Sequence, residues 1–321
     1  AASLDGFGPI KLRSQHPVYL QTLQLTPMRA RSLDPGAFEV RTDYAYSSIF
    51  EKGIKANNRV LLDMEMLRVA FNFLIGFRDG FELGVELPFL HFDEGFLDKF
   101  IDKYHSAFGF PTSGRETESQ HSFNYNFRAN GNDLLSFGSH DFGLSDIVLH
   151  LKHNFWPETQ TAPALAWFFD VKLPTGDRGD GLGSGEVGFG WGAAFEKSHR
   201  RFHGYGNLAY YLVGANDLIA DYMYDQCFAY MLAAEWNILP TWSVIVQLTG
   251  GTPLLKSSNV EIWDGVPLDL VLGFRGEERK LFGSHDLIWQ FGFSEDITAR
   301  GPAVDFSFFF SLGVRFNKRA G

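Results

Sequence analysis

The chain has 321 residues, a formal net charge of −10 and a hydrophobic fraction of 45%, with 33 Phe, 11 Tyr and 7 Trp. Mean hydropathy is −0.11, and no apolar run approaches the ~20 residues that a membrane-spanning helix needs. These properties exclude a helical membrane protein and argue against a nucleic-acid partner. Cys227 is the single cysteine, so the chain has no internal disulfide.

Residues 1–36 precede the first strand-like pattern. They begin AASLDG, and this small-residue start is consistent with a mature end after removal of a signal peptide. The stretch PVYLQTLQLTPMRARSLDPG is too apolar and too rich in proline for an inert tail. Two interpretations stay open: a segment that lies in or under a lumen, and a periplasmic tail.

From residue 38 onward, apolar and polar residues alternate, which is typical of strands whose two faces meet different surroundings. The first segment sets Phe38, Val40 and Tyr44 against Glu39 and Arg41. Most segments are longer than the ~5–6 residues usual in soluble sheets and long enough to cross a bilayer when tilted. The predicted strands are 38–50, 59–75, 81–92, 142–155, 164–173, 185–196, 202–213, 226–237, 241–250, 267–275, 285–296 and 304–316.

The alternation breaks once, within residues 59–76. Leu62, Met64 and Met66 share one parity, whereas Val69 and Phe71 take the other. A β-bulge near Met66–Leu67 would return both halves to the same face. We therefore predict one bulged strand, with two short elements as the alternative.

Short connections alternate with longer ones between the predicted strands. This asymmetry, with an even number of strands, is typical of bacterial outer-membrane barrels. The sequence therefore predicts an all-β fold: a closed antiparallel transmembrane β-barrel of 12 strands over 37–316, with short periplasmic turns, longer extracellular loops and a tail at 317–321. A soluble barrel or sandwich is the alternative. Aromatic residues expected to form a girdle near the short turns are Phe38, Phe155, Trp156, Phe202, Trp236, Trp242, Phe274 and Phe316.

The longest extracellular loop covers residues 93–141. Within it, GFLDKFIDKYHSAFG (95–109) has apolar residues at helical spacing and predicts a short amphipathic helix. FNYNF (123–127) predicts a hairpin arm, with Asn130-Gly131 as its turn. This loop either constricts the mouth of the barrel or packs on other loops.

Two motifs carry a resemblance to a known class. GLSDIVLHLKHNF (143–155) is similar to the GxGDxxLxxKY strand, and KLPTGDRGDGLGSG (172–185) to the KLPTGD…G.GSG pieces, of small outer-membrane channels of Gram-negative bacteria. The motifs lie within 143–192, about a sixth of the chain. The Gln-His-Pro and Leu-Asp-Pro-Gly stretches before the first strand also resemble an uncharacterised outer-membrane family.

The last strand, FSFFFSLGVRF, resembles the signal read by the barrel-assembly machinery, although NKRAG follows Phe316. The resemblance implies an outer-membrane location, contact with lipid and lipopolysaccharide, and the assembly machinery as a partner during biogenesis. Phe309 falls on the inward parity of this strand. We expect a packing partner for it inside the barrel, with the N-terminal segment as the candidate.

The inward parity of the strands is rich in charge, and an isolated buried charge is very costly. If the lumen is open, its excess of carboxylates favours cations. If the charges pair, for example Glu39 and Arg41 with Arg315 and Asp305, they form a solid ionic core. Twelve strands lie between filled and open barrels. The predicted lumen-lining residues are Glu39, Arg41, Asp43, Asp63, Glu65, Glu82, Glu86, Asp146, His150, Lys152, Asp170, Lys172, Glu235, Asp269, Arg275, Asp305 and Arg315.

Three functions follow. The first is a channel for diffusion or uptake of small solutes, cation-preferring and partly plugged by the N-terminal segment or the long loop. The second is a closed structural or surface-interaction barrel. The third is a lipid-modifying enzyme, for which no predicted strand carries a Ser and a His two residues apart.

Catalytic and metal signals are sparse. The pairs Ser14/His16 and Ser119/His121 fall outside the strands and lack an acidic partner at a clear spacing. A rim group of His91, Asp93, Glu94 and His105 matches no known metal-site spacing. We therefore expect no enzyme activity, no cofactor and no metal.

Overall fold

In the part of the chain that it describes, a computed structural model has 15 strands and two short helices, α1 (Pro17–Leu20) and a 3₁₀ helix at Asp217–Tyr222. The residues that the structure describes are 5–55, 57–96, 122–256, 263, 265–282, 285–298, 301–302 and 304–317. The strands are β1 (Phe38–Lys55), β2 (Asn58–Arg78), β3 (Phe81–Asp93), β4 (Asn124–Ala129), β5 (Asn132–Phe137), β6 (His140–Leu144), β7 (Ile147–Trp156), β8 (Ala164–Leu173), β9 (Gly188–His199), β10 (Phe202–Leu212), β11 (Gln226–Leu239), β12 (Trp242–Gly251), β13 (Leu268–Phe282), β14 (His285–Asp296) and β15 (Phe306–Phe316).

The first and last strands close the sheet. β1 pairs antiparallel with β15 from Phe38↔Phe316 to Ser48↔Phe306, and β15 pairs with β14 on its other edge. Both edges of the phenylalanine-rich β15 are therefore hydrogen-bonded, and the hazard of an open edge disappears. β1 to β3 and β7 to β15 form a closed antiparallel barrel of twelve strands, which confirms the predicted fold. Among the helices of the described residues, none is long and apolar enough to cross a membrane.

Three further strands lie at the end of the barrel that carries the long loops. β4 pairs with β5 and with the start of β2, and Asn130 and Gly131 form the turn at positive φ of 50° and 84°. The predicted hairpin is therefore present. Most of the predicted helix at 95–109 lies outside the described residues.

The predicted strand 142–155 is divided into β6 and β7. At the break, the Ser145 amide donates to the carbonyl of Pro88, and the Asp146 carboxylate accepts from the Gly176 amide. These bonds replace a regular ladder, so the prediction of one continuous strand was wrong.

The predicted bulge in the second strand is also wrong. β2 pairs with β1 in unbroken register from Asn58 to Ile75, and its pairing with β3 first shifts between Gly76 and Arg78. Leu62, Met64 and Met66 therefore face the interior along with Arg68 and Asn72. The three apolar residues are buried in the same cluster as α1, which explains why a lumen face is apolar there.

The outward face of the barrel is an apolar band of the kind that meets lipid. At the end with the short turns, Phe38 stacks on Phe316 and Phe202 stacks on Trp236. The ring centroids lie 6.1 Å apart in each pair. Large outward side chains that stay exposed include Phe71, Leu83, Leu149, Trp167, Phe169, Trp191, Leu208, Leu232, Val246, Phe291, Phe308, Phe310 and Leu312.

Close packing against Phe309 requires a glycine at position 292. A Cβ on Gly292 would lie 2.2 Å from the Leu272 carbonyl oxygen and 2.6 Å from the Phe309 ring, whereas one on Gly204 in β10 would meet nothing within 4 Å. We expect Gly292→Ala to destabilise the barrel by about 1–3 kcal/mol, the usual cost of overpacking, and Gly204→Ala to be neutral. The stability of each variant is measured as the temperature at which the protein loses its folded mobility on a gel. Equal midpoints for the two variants would contradict this packing.

Candidate functional site

The N-terminal segment, residues 5–36, runs along the inward faces of the strands and is mostly buried between residues 7 and 30. Its first part binds the wall through backbone amides. The Phe7 amide donates to Glu235 at 2.9 Å, and the Ile10 amide donates to Gln247 at 2.9 Å. These side chains lie on β11 and β12, so the segment enters against that side of the barrel.

The middle of the segment reaches the long-loop half of the barrel. There the Gln21 side chain donates to the Tyr125 hydroxyl of β4 at 2.8 Å, and the Leu254 amide donates to the Tyr19 hydroxyl at 3.3 Å. Every residue of α1 is buried. The segment therefore spans from the short-turn end to the residues that cover the other end.

The last part returns along β10, β9 and β3. The Met28 amide donates to the Asn207 side chain at 2.8 Å, and the Asn207 amide nitrogen donates back to the Met28 carbonyl at 3.0 Å. The Leu33 amide then donates to Glu82 at 2.9 Å. At the exit, a Cβ on Gly76 would lie 2.3 Å from the Asp34 carbonyl, so this approach needs glycine.

Cations of the segment meet carboxylates of the wall. Arg13 contacts Glu86 at 2.7 Å, and both side chains are nine-tenths or more buried. Arg29 contacts Glu196 of β9 at 3.0 Å, and the Ala30 amide donates to the same carboxylate at 3.0 Å. Buried charges of this kind are tolerated because each is paired and hydrogen-bonded.

Glu158, in the short turn after β7, anchors the exit of the segment. Burial raises the pKa of Glu158, but hydrogen bonds from the Ser198 amide and from the Arg31 and Lys197 side chains outweigh it and hold the pKa below its ordinary value. The Arg31 guanidinium lies 2.9 Å from this carboxylate. The Glu158 carboxylate is therefore charged at neutral pH.

Apolar residues of the segment fill the space between the polar contacts. Phe309 of β15 is 4% exposed and Ile10 is fully buried. Both side chains belong to one buried cluster and lie over Gly273, where a Cβ would be 2.9 Å from Phe309 and 3.3 Å from Ile10. The inward phenylalanine thus packs against the N-terminal segment.

Four predicted lumen residues gather at the barrel seam. Arg41 contacts Glu39 at 3.0 Å and Asp43 at 2.7 Å, and Arg315 of β15 contacts Glu39 at 3.1 Å. The expected pairing of Glu39 with Arg315 is present. Asp305 precedes β15 at the long-loop end, whereas Arg41 lies opposite Gly313, so the expected Arg41–Asp305 pairing was wrong.

Asp146 and Lys172 explain the two motifs at 143–155 and 172–185. Lys172 is 1% exposed and donates to the Asp146 carboxylate at 2.5 Å and to the Ser184 hydroxyl at 2.6 Å. The Ser145 hydroxyl donates to the Leu182 carbonyl at 2.6 Å. The motif residues therefore fold the glycine-rich loop onto the wall.

Further predicted residues pair along the same wall. Lys152 contacts Glu82 at 2.9 Å, and His150 contacts Asp170.

Other predicted residues bind the segment or lie at the long-loop end. Glu235 accepts from the segment, from the Tyr205 hydroxyl at 2.6 Å and from Ser243 at 2.7 Å. Arg275 donates to the Pro9 carbonyl at 2.5 Å. Asp269 lies opposite Asp296 at the long-loop end.

The register of β2 corrects the predicted positions of Asp63 and Glu65. They face outward, opposite Phe50 and Ser48, and Glu65 accepts from the outward Tyr46 hydroxyl at 2.5 Å. The bulge hypothesis had reversed their parity. Arg68, which faces inward and contacts Glu86 at 2.7 Å, was missing from the predicted set. Its position between Leu67 and Val69 places it on the inward face with or without a bulge, so the alternation could have identified it.

The Ser14/His16 pair has an acidic neighbour that sequence spacing did not reveal. His16 Nε2 lies 3.2 Å from Glu51, and both side chains have no exposed surface. His16 Nδ1 has no hydrogen-bond partner within the described residues. Of the predicted rim group, His105 lies outside those residues, and the described part holds no cluster of three metal-binding side chains.

Two neighbouring cavities lie beside the segment and share lining residues. The larger, the turn-end chamber, has about 280 Å³ and is lined by segment residues such as Lys11 and Arg29 and wall residues such as Glu39 and Arg275. The smaller, the side cavity, has about 60 Å³. Lys11, Leu74 and Glu82 line both cavities and mark their boundary.

Several solved structures align with this chain. The COG4313 outer-membrane channel from Pseudomonas putida F1 aligns with a TM-score of 0.57 at 12% identity, over 91% of this chain and 100% of that one. The transport unit of the autotransporter AIDA-I from Escherichia coli aligns at 0.44 and 9% identity, over 96% and 100%. A KdgM porin aligns at 0.42 and 6%, over 88% and 99%. The first match confirms the resemblance to outer-membrane channels as a likeness of fold.

Comparison with curated proteins finds no match. The family model DUF3187, described as a protein of unknown function, matches residues 1–316. Because this match covers nearly the whole sequence, the chain belongs to the DUF3187 family.

Proposed function

We propose that this protein is an outer-membrane channel for small solutes whose lumen is closed in this conformation by residues 5–36. The channel opens when the segment withdraws through the short-turn end. The outward apolar band faces outer-membrane lipid and lipopolysaccharide, and the barrel-assembly machinery inserts the chain. The similarity in fold to an outer-membrane channel supports this reading.

One observation carries the proposal: beside its apolar packing, the segment is held by polar contacts that can exchange for water. Glu235, Asn207 and Glu196 bind its amides and cations. In a permanent core, apolar packing of similar volume would be at least as stable as buried ion pairs. A polar interface with matched charges instead suits a segment that has to leave the lumen.

The cation preference expected from the sequence belongs to the open state. With the segment in place, Arg13 and Arg29 neutralise Glu86 and Glu196. When it withdraws, Glu196 loses its arginine partners and Glu86 keeps Arg68 of the wall alone, so the carboxylates of the wet lumen favour cations.

A closed structural barrel is the second candidate, favoured by the extent of pairing at the seam and around Lys172. A lipid-modifying enzyme has less support, because His16 is fully buried on the inside of the wall.

Removing a carboxylate that holds the segment should open the channel. Glu235→Ala leaves the amides of Phe7 and Gly8 without an acceptor, and hydrogen bonds to charged groups contribute about 1.5–3 kcal/mol each. We expect the open fraction in planar bilayers to rise roughly ten- to a hundredfold. The matched control is Asp43→Ala, an inward carboxylate bonded to Arg41 and Asn72 of the wall. An equal rise in both variants would argue against release of the segment.

A disulfide should lock the channel shut. Met28→Cys with Asn207→Cys, in a Cys227→Ser background, places cysteines at two adjacent residues, because the Met28 backbone exchanges hydrogen bonds with the Asn207 side chain at 2.8 and 3.0 Å. We expect the oxidised protein to be silent and dithiothreitol to restore current steps, because the tether prevents withdrawal. Each single cysteine variant serves as a control. Undiminished current with the disulfide verified by mass spectrometry would refute the gating segment.

The open state should prefer cations. In a KCl gradient, the reversal potential of Glu235→Ala channels should lie on the potassium side, because Glu86 and Glu196 lose their segment partners. Glu86→Gln combined with Glu196→Gln in the same background should shift the potential toward zero. A reversal potential on the chloride side in Glu235→Ala channels would contradict the proposed selectivity.

A further inference from the structure

The turn-end chamber has a surplus of positive charge. Seven basic residues line it, namely Lys11, Arg29, Arg31, Lys152, Arg275, Arg279 and Arg315, against five acidic ones, namely Asp5, Asp34, Glu39, Glu82 and Glu277. Arg29 and Arg31 are paired with Glu196 and Glu158, which lie outside the lining, so the surplus of positive charge rests on the remaining basic residues.

Most of the acidic residues in the chamber are already paired. Glu39 contacts Arg41 and Arg315, and Glu82 contacts Lys152. The remaining contacts join Glu277 to Arg315 and Arg279, and Asp5 to Arg31 and Arg279. Asp34 stands exposed at the rim. Little negative charge is left to neutralise another cation.

Two basic groups in the chamber lack an anionic partner. Within the described residues, the Lys11 ammonium has no hydrogen bond or ion pair, although its backbone amide donates to Gln290 at 3.2 Å. Arg275 is 4% exposed, and its Nε has no acceptor in the described part of the chain. Its one guanidinium bond runs to the carbonyl of Pro9. A buried guanidinium nitrogen without an acceptor is costly, and a bound anion would remove that cost.

The chamber also has an entrance and room for a ligand. Asp5, Asp34 and Arg279 line it and are exposed to solvent, so it opens at the short-turn end. Its volume of about 280 Å³ is close to the lower end of the range for small-molecule sites. A phosphate ion or a short dicarboxylate fits this space, whereas a sugar chain or a lipid does not.

We propose that the turn-end chamber is a binding site for a small oxyanion, carried by carboxylate or phosphate groups, with Lys11 and Arg275 as its ligands. Lys11 supplies a mobile point charge at the boundary with the side cavity. Arg275 supplies a fixed N–H on β13. The site exists only while the segment is inside the barrel, because Lys11 belongs to the segment and Arg275 to the wall. The proposal deepens the proposed function by naming an anion as a ligand of the closed state.

Equilibrium binding to the full chain in detergent tests this. Inorganic phosphate and succinate are titrated separately by calorimetry, with choline as a cationic comparison. We expect saturable binding of at least one anion and none of choline. Lys11→Gln should weaken it about tenfold or more, the usual effect of losing one charge-assisted hydrogen bond. Lys256→Gln, a change in a lysine near the Tyr224 ring at the other end, should leave it unchanged.

Phosphate binding without succinate binding would assign the site to phosphorylated solutes, and the reverse would assign it to carboxylates. No saturable anion binding, or equal binding by Lys11→Gln in protein of normal heat-modifiable mobility, would overturn the site. The assay does not depend on conductance. A barrel that binds the anion but carries no current would contradict only the proposed channel function. A barrel that carries current but does not bind the anion would contradict only the proposed binding site.

Discussion

The structure depends on one electrostatic constraint: carboxylates that point into a closed barrel must be paired or hydrated. The wall meets this constraint partly by itself, as in the Asp146–Lys172 pair, and partly through the N-terminal segment, whose arginines and backbone amides meet Glu86, Glu196 and Glu235. The excess negative charge of the wall and the basic character of the segment are therefore two halves of one arrangement. This complementarity fixes the path of a segment with almost no secondary structure.

The period-two pattern was enough to predict the barrel, its twelve strands and its closing seam, because each strand has one face in lipid and one in a polar interior. The same logic failed where a strand face is apolar on the inside. Leu62 and Met64 face a buried cluster and not water, so their parity was misread and Asp63 and Glu65 were placed in the lumen. The error came from a contact with residues more than forty positions away, which no local pattern records.

Predicting the candidate site from sequence was harder still. The residues of the wall could be enumerated, but their partners could not, since Phe7 binds a carboxylate 228 positions away and Lys11 an amide 279 positions away. The acidic neighbour of His16 was invisible for the same reason. The positive turn-end chamber is opposite in sign to what net charge suggests, because pairing within the wall consumes its carboxylates first.

The long separations between the segment and its partners also constrain the order of folding. Its first residues lie at the start of the chain, yet their acceptors sit on β11, β12 and β14. Contacts across such distances form late, since the loop between them must be closed first. Nearly the whole sheet must therefore be laid down before the segment has a surface to bind. Until then, residues 5–36 have no interior to fill, so closure of the lumen has to follow closure of the sheet.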